Sequence, residues 1–174
     1  MTILSYILNT IASISIISAS LIKGEKMNRI LFLVFLGNFL AATGYLVGGS
    51  GINGAASCYI GAAQTIINYF YESKSKPIPK WLIAIYALTF VSLNIYVGTN
   101  PGHTALVIIA SLTFIMSIGQ KNGAKFRFWT IVNMVLWCTY DIWSGAYNGL
   151  MSHIPIFVFT LLGMYIHDRK EKTN

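Results

Sequence analysis

At 174 residues, 55% hydrophobic and only 10% charged, with mean hydropathy +0.64, the chain is too apolar for a soluble domain, which runs near a quarter charged. One membrane-crossing helix takes about 20 residues, so there is room for roughly seven or eight and none for a separate soluble domain. The net charge of +7 and pI near 9.5 do not point to nucleic acid, because the basic residues sit in short gaps between apolar runs rather than on an interleaved polar surface.

Seven apolar segments follow in chain order, at 3–22, 29–48, 53–71, 81–97, 103–119, 127–146 and 149–167. The connections KGEKMN, GGSGI, ESKSKPIPK, GTNPG, QKNGAKF and YNG are too short to carry a catalytic domain. Whatever the protein does, it does within the bundle. Lys and Arg test the segmentation, because basic residues are retained on the cytoplasmic side during insertion. All twelve fall on alternate connections: Lys23, Lys26 and Arg29 after the first segment, Lys74, Lys76 and Lys80 after the third, Lys121, Lys125 and Arg127 after the fifth, and Arg169, Lys170 and Lys172 after the seventh. The amino terminus is therefore expected outside and the carboxyl terminus inside. The first segment has no basic residue before it and three after it, the reverse of a cleavable signal, so it is expected to be retained. With no transit peptide, glycosylation sequon or retrieval signal, the expected location is the cytoplasmic (inner) membrane of a bacterium, crossed several times.

Polar side chains inside such segments need partners, and so mark either helix packing or a solute path. In the first segment Ser5, Asn9, Ser13 and Ser20 share a face that suits close helix approach, as do Gly37, Ala41 and Gly44 in the second. Asn38 adds an amide. The third carries Ser57, Gly61, Gln64 and Asn68 at helical spacing, and Cys58, like Cys138 in the sixth, reads as a small core residue. The sixth is the most informative: Trp129, Asn133, Trp137, Tyr140, Asp141 and Ser144 recur at steps of three or four and share one face. Asp141 is the ionisable group placed well inside a segment, about 21 Å from its inner end by helix rise. It has two readings, an anchor bonded to a Tyr or Asn of a neighbouring helix, or a solute acceptor and proton carrier. By the same arithmetic Asn38, Gln64 and Trp137 lie at similar depth, about 14 to 16 Å from a helix end. Convergence there is what a midplane site needs, and amide bonding between helices is the plainer alternative. Pro155 should kink or hinge the seventh segment.

Other signals are set aside. Gly49, Gly51 and Gly54 spell G-x-G-x-x-G, but in an outer turn between helices rather than a βαβ unit, so no dinucleotide or other cofactor is expected. His103 and His153 near outer helix ends, and His167 near an inner one, have no Cys or acid expected beside them and make no metal site. One buried acid without a His base supports no hydrolytic mechanism, so no enzyme is expected.

Laying the second segment on the sixth places Arg29 on Arg127, Val34 on Val132, Gly51 on Gly149 and Lys74 on Lys172. Two parallel three-helix units follow if the fourth segment is an inverting linker, giving a 3+1+3 order: a first bundle over 1–72, a linker over 73–102 and a second bundle over 103–174. With GAAQTIINYF at 61–70, PKW at 79–81 and RFWTIVNMVLWCTYD at 127–141, the chain resembles the YgjV-like bacterial inner-membrane family, within the SWEET, PQ-loop and nicotinamide-riboside transporter superfamily. It has no Pro-Gln dipeptide, and its seventh segment lacks Asn. The resemblance implies an all-α polytopic fold and a solute cavity lined by spans two, three, six and seven.

The expectation is a facilitator-like membrane transporter for a small polar solute such as a nucleoside, vitamin or sugar, by alternating access around a midplane site. The residues expected nearest the solute are Asn38, Gln64, Asn68, Asn133, Trp137, Tyr140 and Asp141. Expected partners are the lipid bilayer and a small-molecule solute, without nucleic acid; a homo-oligomer is left open. The alternative is a non-transporting receptor or partner-binding module of the same fold.

Overall fold

The computed structural model describes residues 2–22, 26–49 and 52–168, so Lys23, Gly51, Arg169, Lys170 and Lys172, which entered the charge and repeat patterns, lie outside the described residues. Seven helices follow in order: α1 (Ile3–Leu21), α2 (Met27–Gly48), α3 (Ile52–Ser73), α4 (Lys80–Val97), α5 (Pro101–Ile118), α6 (Gly123–Ser144) and α7 (Tyr147–His167). Polar caps fix several boundaries. Thr2 accepts from the Ser5 amide, Asn100 from the Gly102 and His103 amides, and Asn122 from the Ala124 and Lys125 amides, each satisfying N–H groups that a helix start leaves open. Gly49 and Gly145 end α2 and α6 in the left-handed region, at φ 67° and 72°.

The Asn122 cap starts α6 a turn earlier than apolarity indicates. Arg127 therefore lies inside the helix and is buried, rather than in the connection to which its charge assigns it.

Five helices, α1, α2, α4, α5 and α7, are long and apolar enough to cross a membrane. The other two, α3 and α6, are 22 residues each, and their buried faces carry Asn53, Ser57, Gln64, Asn68, Asn133 and Asp141. Contacts run from α1 to α2, α3, α5, α6, α7 and back to α1, while α4 packs on α3 and α5. Large apolar side chains such as Leu88, Tyr96, Val135 and Met151 are exposed, and many hydroxyls and amides are buried among the apolar side chains of the interior. Lipid is as apolar as leucine, so burying apolar surface does not drive helix association here; close packing and hydrogen bonds do. Gly37 and Gly44 let α2 lie close to α1: an added Cβ would fall 2.9 Å from Ile16 Cδ1 in the first case and 2.8 Å from Asn9 Nδ2 in the second.

Candidate functional site

A cavity of about 50 Å³ lies where all seven helices converge. Its polar wall includes Asn38 of α2, Ser57 of α3, Ser111 of α5, Asn133 of α6 and Ser152 and His153 of α7, with Trp137, Phe114 and Phe90 among the aromatic side chains facing it.

At one end stands a buried acid–base pair. Asp141, with no exposed surface, has Oδ2 2.6 Å from His153 Nδ1, and its Oδ1 accepts from Tyr45 Oη at 3.1 Å. Tyr45, from α2, is the neighbouring-helix tyrosine of the anchor reading. His153 was expected to have no acid beside it, and the structure corrects this. Its ring also stacks on Trp137, with centroids 5.6 Å apart and planes at 27°. Trp137 in turn meets Tyr140 edge-on at 5.5 Å, and Tyr140 meets His103 at 6.0 Å. The hairpin between α6 and α7 explains the pair. Asp141 and Gly149 lie at about equal distance from the turn, and Gly149 has no side chain: a Cβ there would fall 2.7 and 2.8 Å from the carboxylate oxygens. The carboxylate occupies that space, and His153, one turn further along α7, reaches it.

The middle of the cavity is held by amides. Asn133 Nδ2 donates to the Ala110 carbonyl at 2.6 Å and to Thr113 Oγ1 at 3.0 Å, bridging α6 to α5. Asn38 Nδ2 donates within its own helix to the Val34 carbonyl at 2.9 Å, and its Oδ1 lies near the vacant side-chain position of Gly61. Ser57 exchanges hydrogen bonds with the fully buried Asn94 of α4, whose Nδ2 donates to Ser57 Oγ at 2.9 Å. Asn94 is a residue that sequence reading missed, since α4 was treated as a plain linker. Towards the other end, Ser117 and Thr130 share a bond of 2.8 Å.

Of the residues expected nearest the solute, Asn38, Asn133 and Trp137 line this cavity. Asp141 touches it through His153, and Tyr140 stands behind Trp137. Gln64 is buried outside the lining, with Oε1 lacking a hydrogen-bond partner. Asn68 lies elsewhere: it accepts from Tyr86 Oη at 3.3 Å, donates to the Ile118 carbonyl at 3.5 Å, and borders a separate pocket with Glu72, Lys76 and Lys121. Among the described residues no three His, Cys, Asp or Glu side chains are grouped as metal ligands.

Arg127 closes the far end of the bundle. Its Nε donates to Asp168 Oδ2 at 3.1 Å, its Nη2 pairs with Asp168 Oδ1, and its Nη1 donates to the Ile22 carbonyl at 3.3 Å. His167 Nε2 lies 3.1 Å from the Leu21 carbonyl. Carbonyls that the end of α1 leaves open are thus met by side chains of α6 and α7.

A family model described as a bacterial inner membrane protein, Imp-YgjV, matches residues 3–171. The chain belongs to the Imp-YgjV family. It is a multi-pass inner membrane protein, and the exposed leucines and aromatics around its helices are its lipid-facing surface. No curated protein and no solved structure matches the chain. Intramembrane ionisable groups face cavities or partners rather than lipid, and the pair follows this: His153 lines the cavity and Asp141 lies buried behind it.

Proposed function

We propose that this Imp-YgjV protein is a facilitator-like transporter for a small polar solute, such as a nucleoside, vitamin or sugar, working by alternating access around the central cavity. The observation that carries the reading is the convergence of hydroxyls, two amides, an imidazole and an indole from different helices on one cavity within an apolar shell. Hydrogen-bonding groups beside an aromatic face are what a polar, ring-bearing solute needs. Asn38, Asn133 and Trp137 are the contacts we assign, with Tyr140 and Asp141 behind them; Gln64 and Asn68 are assigned to the route between the cavity and the α3–α5 end.

In this reading α3 and α6 also span, α1–α3 and α5–α7 are two three-helix units, and α4 links them, as in SWEET-like proteins. The amino terminus is outside and the carboxyl terminus inside. Support comes from the basic residues: Lys26, Arg29, Lys74, Lys76, Lys80, Lys121 and Lys125 all sit at helix ends that alternation puts on the face where Arg127 joins the ends of α1 and α7.

The size of the cavity favours a second reading. About 50 Å³ holds roughly three or four waters, so transport requires the helices to part, whereas a receptor or partner-binding module does not. Uptake of labelled nucleosides, hexoses and B vitamins into vesicles carrying the purified protein separates the two. Saturable uptake of one class, lowered at least tenfold by Asn133→Ala, supports transport. The absence of uptake, together with no thermal stabilisation by the same compounds, leaves the receptor or partner-binding reading.

A further inference from the structure

We propose that Asp141 and His153 form a proton-binding site in the cavity wall, and that a proton held there accompanies solute occupancy; the solute half of this rests on the transport reading. Asp141 has no exposed surface, and its two oxygens are taken up by Tyr45 Oη and His153 Nδ1. The groups facing the pair from the packed elements are neutral or weakly ionising: Tyr45 from α2, Cys58 from α3, Trp137, Cys138 and Tyr140 on α6, and His103 of α5 behind Tyr140. Among the described residues no Lys, Arg or Glu lines the cavity. Arg127, a buried cation, is paired with Asp168 at the opposite end of α6.

The charge balance then decides the chemistry. With a neutral imidazole donating Nδ1–H to Asp141, the pair carries one negative charge in a medium that penalises it. A proton arriving as hydronium through water in the cavity adds to the Nε2 lone pair, the hydronium O–H bond breaking and water leaving as the N–H bond forms, and this brings the pair to zero net charge. The same step changes what His153 offers to the cavity. Nε2 is a hydrogen-bond acceptor before the proton arrives and a donor after it, and Trp137, stacked on the ring, presents a π-face to the imidazolium. A solute bearing a carbonyl or ring-nitrogen acceptor is therefore held by the protonated wall and released when the proton leaves. Pro155, two residues beyond His153 inside α7, has no N–H for the preceding turn, so this stretch of helix has a bond fewer resisting movement.

The test reads the proton directly. In nanodiscs of phosphatidylethanolamine and phosphatidylglycerol, with ¹⁵N-histidine label, the imidazole signal missing from His153→Gln is the His153 signal. It is expected to change reversibly with pH, and to follow a different pH course in Asp141→Asn, which removes the carboxylate that the ring faces. A His153 signal that does not change with pH, or that titrates identically in Asp141→Asn, overturns the proposal. If Asp141→Asn does not fold, Tyr45→Phe removes one bond to the carboxylate while keeping the ring, and its pH course must also differ; an unchanged course overturns the site. In vesicles of the same lipids, an imposed proton gradient is expected to change the uptake of whichever labelled nucleoside, hexose or vitamin the wild type carries by at least threefold. Uptake indifferent to the gradient overturns the coupling and leaves transport standing. No uptake at all, beside an intact His153 titration, overturns transport and the coupling with it while supporting the proton site.

Discussion

Ser152 on α7 donates its hydroxyl to the Asn9 carbonyl on α1, 143 positions earlier, at 2.9 Å. It is one of a series of ties along the α1–α7 seam, with Thr160 Oγ1 to Ser20 Oγ at 3.0 Å and His167 Nε2 3.1 Å from the Leu21 carbonyl at the end, where Arg127 of α6 adds a bond to the Ile22 carbonyl. The α3–α5 seam is held more loosely. Its bonds are 3.4 Å from Ser111 to Ser57, 3.5 Å from Asn53 to Thr104 and 3.5 Å from Asn68 to the Ile118 carbonyl, with the unpartnered Gln64 Oε1 on the same α3 stripe as Ser57 and Asn68.

This asymmetry predicts where the bundle parts. A disulfide between Ser57→Cys and Ser111→Cys should lower solute uptake at least tenfold, with recovery on reduction. One between Ser20→Cys and Thr160→Cys should leave uptake within twofold of the reduced form. Equal inhibition by both cross-links in a vesicle assay would place the opening elsewhere.

The Arg127–Asp168 pair should be strongly cooperative. Arg127 is buried and Asp168 partly exposed, so Asp168→Ala, which leaves the buried guanidinium uncompensated, should cost up to about 3 kcal/mol, and Arg127→Ala less, because water reaches the carboxylate left behind. The double variant should cost far less than their sum. A thermal or denaturant double-mutant cycle in detergent checks this, and additive losses would show that the two residues act independently.

Gly149→Ala should disturb the acid–histidine pair without touching its residues. The added methyl would meet Tyr45 Oη and stand within 2.8 Å of the Asp141 carboxylate, both buried. A loss of about 1 to 3 kcal/mol is expected, together with a moved His153 titration in the labelled protein. A variant as stable as wild type, with an unchanged His153 signal, would mean that the hairpin relaxes freely.

The topology predicts opposite accessibilities. With Cys58 and Cys138 replaced by Ala, Lys74→Cys and Lys121→Cys should react only with a reagent reaching the cytoplasmic side. Tyr96→Cys, 86% exposed at the other end of α4, should react from outside. Labelling of Lys74→Cys and Lys121→Cys from opposite faces would break the seven-span order.

The positions of the helices were legible in the sequence because the signal that reveals them is local. Apolarity over about 20 residues reads directly along the chain, and the seven expected segments coincide with the seven helices to within a few residues. Arg127 departs from the charge pattern for a local reason, the Asn122 cap, which hydropathy does not weigh. Asp141 and Trp137 could be singled out because burying them has a cost that sequence alone makes visible. Asn94 could not, since one amide in an apolar helix looks the same whether it meets lipid headgroups or Ser57. His153 was visible only as a histidine near a helix end. The signal that could have found it is the hairpin arithmetic, in which the short connection after Asp141 sets Gly149 opposite the carboxylate and His153 one turn beyond.

The sequence by itself determined that this is a helical inner-membrane protein and which helix faces are polar, because hydrophobicity, spacing and charge are properties of each residue and its near neighbours. Which polar groups meet was decided only by the tertiary structure. Asp141 with His153 and Tyr45, Arg127 with Asp168 and Ser57 with Asn94 pair across helices whose rotation and approach follow from small-residue packing along their whole lengths. In an apolar medium a polar group is stabilised by the partner it reaches, and that partner is fixed by geometry, not by its position in the chain.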